Sequence, residues 1–324
     1  VAATGASRRS FWKGSRVRTE RELREREAYG LLFLISLIWA GNFIAAKVAL
    51  AVVGPITLTA LRTVLAMVVL LWYVRFTYQT WPSVGSGDLR IFLTLALTGL
   101  VTNTTLWYYG LQRTLAINAA ILGAMGPVFV ALLSATWLRE RLSPLNVLGI
   151  LVSSAGVVLT VTRGSLRVLL DLDLHPGDFF ILVGQSIWAV YSVYARQVSR
   201  RFPPTVITAG TYIVSAAFLV PLSLVERPWT ALPHLTVGTV LAILYAATLV
   251  TVSHIWFYWG IRVVSAAVAS LTVNLLPFEV LALSWLLLGE AVTWAHVIGA
   301  LIVIAGVALA TRRSAPAPEP AERR

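Results

Sequence analysis

The chain has 324 residues, of which 58% are hydrophobic and 12% charged, with a mean hydropathy of +0.80 and no cysteine. Soluble domains carry about 25% charged residues and single cores stop growing near ~250–300 residues, so lipid, not one outsized core, accounts for the apolar excess. The absent cysteine excludes disulfide scaffolds, zinc–cysteine sites and iron–sulfur clusters. The net charge of +12 is spread between apolar runs, which points to membrane orientation and away from nucleic acid.

Residues 1–28 hold eight Lys/Arg, from Arg8 to Arg26, and four glutamates between Glu20 and Glu27. No apolar run or small-residue cleavage site precedes Tyr29, which argues against a secretory signal, and the glutamates argue against a mitochondrial presequence. The stretch reads as a charged cytosolic tail, partly helical on the membrane surface. A chain starting at Val1 is expected to be either a fragment or the literal reading of a GTG start codon.

A bilayer core of ~30 Å takes about 20 apolar residues of helix. By that measure ten spans are expected, at 29–50, 57–78, 89–111, 115–137, 144–162, 178–198, 204–225, 236–260, 265–288 and 293–311. The runs are too long and too uniformly apolar for barrel strands of about 10 alternating residues. Short separators carry turn or charge signals, such as Gly54-Pro55, Arg139 to Pro144 and Pro203-Pro204. With the N-terminus cytosolic, 20 Lys/Arg fall on the inner side and four (Arg113, Arg163, Arg167, Arg227) on the outer, while Lys47 and Arg62 lie inside spans. That asymmetry predicts both termini inside.

Sliding the chain by 150 positions aligns Tyr108–Thr160 with Tyr258–Ala310, and 17 of these 53 pairs are identical. They include Pro127 with Pro277, Glu140 with Glu290, Gly149 with Gly299 and Gly156 with Gly306; a shift of 149 pairs Ser36 with Gln185, Trp39 with Trp188 and Lys47 with Arg196. Each half therefore contains five spans. An odd number forces the second copy to enter the membrane from the opposite side, the arrangement of many secondary transporters, whose substrate site lies near the midplane between halves. The expected fold is an all-α polytopic membrane protein of ten helices in two inverted five-helix repeats. Residues 1–28 form the tail, 29–163 repeat one, 164–177 an extracytoplasmic loop, 178–311 repeat two and 312–324 a proline-rich, disordered cytosolic tail.

The motif Trp39-Ala40-Gly41-Asn42-Phe43 with Lys47, then Leu61-Arg62, then Pro127 ahead of Glu140-Arg141-Leu142, Gly149 and Gly156, resembles the EamA repeat of the ten-helix drug/metabolite transporter superfamily. In the second half Trp188, Pro277, Gly289-Glu290, Gly299 and Gly306 are similar to the same pattern; the second half departs from it with Tyr191 and Ser192 where the first has Asn42 and Phe43. The resemblance covers residues 29–311. It implies export or exchange of small metabolites or amphipathic compounds, often amino acids, across the bacterial inner membrane.

Candidate transport residues follow from spacing. Ser36, Trp39, Asn42, Phe43 and Ala46 share one helix face, as do Gln185, Trp188, Tyr191, Ser192 and Ala195. Trp39 and Trp188 lie about 15 Å from a membrane edge at 1.5 Å per residue, away from the interfaces tryptophan favours. These faces either pack helices together through Asn and Gln or line a cavity with Trp39, Asn42, Phe43, Gln185, Trp188 and Tyr191. Asn103 and Trp107 in span three and Asn274 in span nine are further cavity candidates. Lys47 either snorkels to outer water or binds an acidic substrate group. Glu279 is the one carboxylate clearly within a span: either Arg62 or Lys47 holds it ionised, or it carries a proton during transport. His254, without a partner at ligand spacing, is a second proton-coupling candidate and not a metal site. Pro127 and Pro277 break hydrogen bonds at equivalent positions and are candidate hinges. Gly149, Ser153 and Gly156, with Gly299 and Gly306, form small faces for close packing.

These readings converge on a secondary transporter in the bacterial inner membrane working by alternating access, its partners the lipid bilayer and a small-molecule substrate, without nucleic acid, cofactor or metal. No G-x-x-x-x-G-K-[ST] motif is present to bind ATP. The alternatives are a non-saturating pore and an intramembrane enzyme; one intramembrane glutamate and four scattered histidines do not supply a catalytic set. Whether the protein is a monomer or a homodimer stays open.

Overall fold

The structure is a computed structural model that describes residues 5–77, 85, 88–137, 142–165, 167, 175–199, 201–202, 204–253, 256–257 and 275–310. Among these residues the secondary structure is helical throughout, without strands. The helices are α1 (Gly5–Leu50), α2 (Pro55–Thr77), α3 (Leu89–Gln112), α4 (in two pieces, Ala116–Gly123 and Gly126–Trp137), α5 (Pro144–Val161), α6 (Pro176–Val198), α7 (Pro204–Ser223), α8 (Val237–Ser253), α9 (Leu276–Leu288) and α10 (Trp294–Ala310). Seven stretches, within α1 to α7, are long and apolar enough to cross a membrane, and α8, α9 and α10 are shorter apolar helices of 10–17 residues. Outward faces are apolar: Trp72, Leu151 and Leu286 are 64%, 63% and 69% exposed. Such a continuous apolar exterior suits lipid, not water.

α1 is one helix of 46 residues that runs back through the charged stretch to Gly5. Glu20 and Arg24, and Glu22 and Arg26, stand four apart, in the order that supports a helix, and Arg and Glu are good helix formers.

Equivalent helices of the two halves pair antiparallel. α5 and α10 make the closest contact: a Cβ on Gly149 would strike the Ala310 backbone, one on Gly156 the Val303 backbone, one on Gly299 Thr160, and one on Gly306 the Ser153 backbone. Rising numbers on α5 thus meet falling numbers on α10, and glycines seven apart on each helix let the backbones touch. Asn146, which closes a capping box with Ser143 at the start of α5, donates Nδ2 to the Ala310 carbonyl at 2.9 Å.

α2 and α7 pair in the same manner, and an acidic residue ties each end of the pair. After α7, Glu226 accepts from Ile56 N (3.1 Å), Thr57 N (2.8 Å) and Thr57 Oγ1 (2.8 Å) at the first turn of α2. After α2, Asp88 pairs with Arg201 just before α7 at 2.6 Å. A carboxylate at a helix N-terminus satisfies free amides and meets the positive end of the dipole.

Candidate functional site

The faces expected on spans one and six do point at the opposite half. On α1, the Ser36 hydroxyl lies 2.7 Å from Glu279 Oε1 of α9 and 2.9 Å from the Phe33 carbonyl. One turn on, Trp39 Nε1 donates to Ser253 Oγ of α8 at 2.9 Å, and Ser253 passes its own proton to the Val250 carbonyl at 2.7 Å. The Trp39 ring packs on Phe257 with centroids 5.0 Å apart. Tyr245 completes this wall: its hydroxyl crosses over Gly41 to donate to the Ile38 carbonyl at 2.9 Å, and a Cβ on Gly41 would lie 2.5 Å from that oxygen.

The counterpart niche surrounds α6. Gln185 Nε2 donates to the Gly123 carbonyl at 3.1 Å, at the end of the first piece of α4. A Cβ on Gly126, at the start of the second piece, would meet Gln185 Oε1 at 3.2 Å and Trp188 at 3.8 Å. Trp188, 40% exposed, stacks at 4.9 Å on Tyr191, which in turn covers Gly99 of α3. Ser36 and Gln185 each stand nine residues into their membrane segment, about 14 Å deep at 1.5 Å per residue, but from opposite sides.

In both niches the face of the first helix of one repeat meets the proline-bearing fourth helix of the other. α4 is interrupted at Ala124 and Met125, two residues ahead of Pro127, and α9 begins at Leu276 with Pro277 in its first turn. Proline lacks the amide that would continue the ladder, so a neighbouring Gln185 side chain takes up the released Gly123 carbonyl. α3 and α8 also carry π-helical segments, Leu97–Thr104 and Tyr245–Leu249, whose starts are 148 positions apart, close to the repeat offset. Such segments gather at functional sites. Asn103 sits in the first, donating to the Gly99 carbonyl at 3.2 Å with its side chain beside Gly184.

Above the niches lies a polar layer. Lys47 Nζ binds Glu290 Oε1 at 2.7 Å and the Thr114 carbonyl at 2.6 Å, and Glu290 also accepts from Ala116 N (2.8 Å) and Ile117 N (3.2 Å) at the start of α4. Thr114 donates its hydroxyl to buried Asp178 of α6, which also receives Asn118. The Lys47 ammonium is thus engaged by Glu290. Below it, Phe43 and Trp107 meet edge to face at 4.9 Å, and Trp107 lies 5.8 Å from Tyr108.

The profile of the EamA-like transporter family matches this chain twice, over residues 27–162 and 175–312. The chain belongs to the EamA-like transporter family. Among its relatives is "Uncharacterized transporter YyaM" of Bacillus subtilis, 28% identical over 89% of this chain and 95% of that one. An "Uncharacterized transporter" of Archaeoglobus fulgidus is 31% identical over 87% and 96%. A "Probable terminal-alkyne amino-acid exporter" of Streptantibioticus cattleyicolor is 27% identical over 89% and 94%. A crystal structure covering 88% of this chain and 98% of its own shares the fold, with a TM-score of 0.59 and 22% identity.

Within this EamA-type fold, Glu279 departs from the pairing foreseen for it. Lys47 is taken by Glu290, and Arg62 Nη1 donates to the Tyr108 hydroxyl at 3.1 Å. Among the described residues Glu279 is held by Ser36 alone, and its Oε2 is buried without a hydrogen-bond partner. Asn42 Oδ1 is likewise buried and unpartnered. His254 and Asn274 lie outside the described residues. No group of three or more metal-ligating side chains occurs among the described residues. The sequence gives Arg62 a place in the EamA-like motif and a candidate pairing with Glu279, and no role in the cavity. Its place seven residues into α2, about 10 Å from the helix start, was itself a signal, because an arginine at the bilayer centre costs about 2.5–3.5 kcal/mol on insertion scales.

Proposed function

We propose that this protein is a secondary transporter that exports or exchanges a small organic metabolite across the bacterial inner membrane, with both termini in the cytosol. Its two inverted halves rock about a midplane site framed by Ser36, Trp39 and Glu279 on one side and Gln185, Trp188 and Tyr191 on the other. The observation that carries this reading is the matched pair of contacts, Ser36 to Glu279 and Gln185 to the Gly123 carbonyl. Each links a first helix to a helix that carries a proline, so either contact can open while its counterpart stays closed, and Pro127 and Pro277 serve as hinges. The amino-acid exporter among the relatives supports an amphipathic, amino-acid-like solute. Chemistry on the solute is not part of the proposal, since the family and the relatives it resembles are transporters.

The test is counterflow in liposomes containing the purified full chain. Solute flux is expected to saturate, and Trp39→Ala and Trp188→Ala each to lower it about tenfold, as loss of an aromatic contact of roughly 1.5 kcal/mol requires. Continuous conductance without competition between solutes makes the protein a pore. Unaltered saturable flux in both variants removes these tryptophans from the site.

A further inference from the structure

Arg62 is the charged group whose surroundings the transport site leaves unexplained. Among the described residues its one hydrogen bond is from Nη1 to the hydroxyl of Tyr108, a neutral side chain that is itself fully buried. Its Nε is buried without a partner. Tyr212 of α7 lies within electrostatic range, and it too is a phenol and not a carboxylate. The acids nearest in role are committed elsewhere: Glu290 to Lys47, Glu226 to the start of α2, Glu279 to Ser36. A guanidinium has five N–H donors and never loses its charge. Here four of the five are left without a bond among the described residues, two turns inside a membrane helix, and part of the side chain remains accessible.

We propose that Arg62 is the binding site for the carboxylate of the transported solute, which is a monoanion or zwitterion with an apolar body. The inference rests on the transporter reading above and adds the substrate's charged group to it. Arginine's planar fork matches a carboxylate with two parallel hydrogen bonds. Trp107, half-buried and 5.8 Å from the Tyr108 ring, offers an aromatic face to an aliphatic or aromatic solute body. A dianionic phosphate calls for a second cation, and Lys47 of neighbouring α1 is neutralised by Glu290. The rival account is a structural tie from α2 to α3 through Arg62 and Tyr108. It makes a different prediction, because a tie is indifferent to the charge of the solute.

The experiment is competition against labelled L-norleucine counterflow in liposomes of the full chain, using unlabelled L-norleucine, hexanoate, L-norleucine methyl ester and pentylamine. In the wild type the two acids are expected to compete at least tenfold better than the ester and the amine, the scale of a charge-assisted pair. Arg62→Gln is expected to close that gap to within about twofold by weakening the acids alone, and Arg62→Lys to restore part of it. Tyr108→Phe, which cuts the tie but keeps the cation, is expected to retain most of the preference. Equal competition by acid and ester in the wild type overturns the inference, as does an Arg62→Gln protein that keeps the preference. If Arg62→Gln does not fold, the wild-type acid-to-ester ratio and the Tyr108→Phe ratio decide alone. Amine flux without acid flux in the wild type sinks the inference and leaves the transporter reading standing; no saturable flux of any probe sinks both.

Discussion

Lys47 and Glu290 form an ion pair of 2.7 Å that joins the end of α1 to the turn before α10. The pair is anchored at both ends, since Lys47 also holds the Thr114 carbonyl and Glu290 also receives two amides at the start of α4. Glu290 is mostly withdrawn from solvent, with 6% of its side chain exposed against 25% for Lys47. One lysine thus fastens the two halves to each other at the end of the bundle where α4 and α6 begin.

Removing one partner leaves the other desolvated, so Lys47→Met and Glu290→Gln are each expected to destabilise the protein by about 3 kcal/mol. The double variant should fall short of the sum by roughly 1–3 kcal/mol, the mark of direct coupling. Denaturant unfolding in detergent micelles measures all three. Additive losses would mean that the two residues act separately. Glu290→Gln should be the more damaging single change, because the amides of Ala116 and Ile117 lose a charged acceptor as well.

Gly41 and Tyr245 give a second test, at the contact between α1 and α8. The Tyr245 hydroxyl passes where a Cβ on Gly41 would sit, 2.5 Å away. Gly41→Ala should therefore push the phenol off the Ile38 carbonyl and lower stability by about 1–3 kcal/mol, the usual range for overpacking. Tyr245→Phe removes the hydroxyl and the clash together, so Gly41→Ala made in that background should be tolerated. A full penalty in both backgrounds would place the strain elsewhere.

The residues themselves explain what could be read ahead of the coordinates. Hydropathy and charge along the chain report the solvent directly, and the shared Gly149, Gly156, Gly299 and Gly306 report close helix contact because glycine is otherwise a poor helix residue. Helical spacing placed Ser36 with Trp39, and Gln185 with Trp188, on common faces. Spacing does not say which neighbour a face meets. Lys47 could reach water, a solute or an acid with the same sequence around it, and only the packing of α9 against α1 brings Glu290 close. Glu279 could meet Arg62, Lys47 or neither on the same sequence, and in the packed structure it meets Ser36. The π-helical segments left no signal, since one extra residue in a turn leaves an apolar run looking like any other.

The opposed threading of the two halves is open to a direct chemical test, helped by the absence of native cysteine. Leu142, just before α5, and exposed Ala291, just before α10, stand at equivalent places in the two repeats, so they belong on opposite membrane faces. In right-side-out cells, a membrane-impermeant maleimide is expected to label Ala291→Cys readily. Leu142→Cys should react only after the membrane is opened. Labelling of both from the same side would contradict the antiparallel pairing of α5 with α10.

Glu279 carries the last prediction, through the two hydrogen-bond states its surroundings allow. As a carboxylate it accepts the Ser36 proton at 2.7 Å; as a carboxylic acid it can donate to Ser36 Oγ while that hydroxyl turns to the Phe33 carbonyl at 2.9 Å. Both protonation states are thus hydrogen-bonded without any movement of α1 or α9, which suits a group that loads and releases a proton during transport. Glu279→Gln mimics the acid permanently. Accumulation driven by a pH gradient across liposomes should then fall about tenfold or more, while one-for-one exchange without a gradient, which needs no net proton movement, should continue. Glu279→Asp, still titratable but one methylene short of Ser36, should retain part of the coupling. Full gradient-driven accumulation by the Glu279→Gln protein would assign the proton, if one is carried, to another group, and leave Glu279 as a polar element of the packing between α1 and α9.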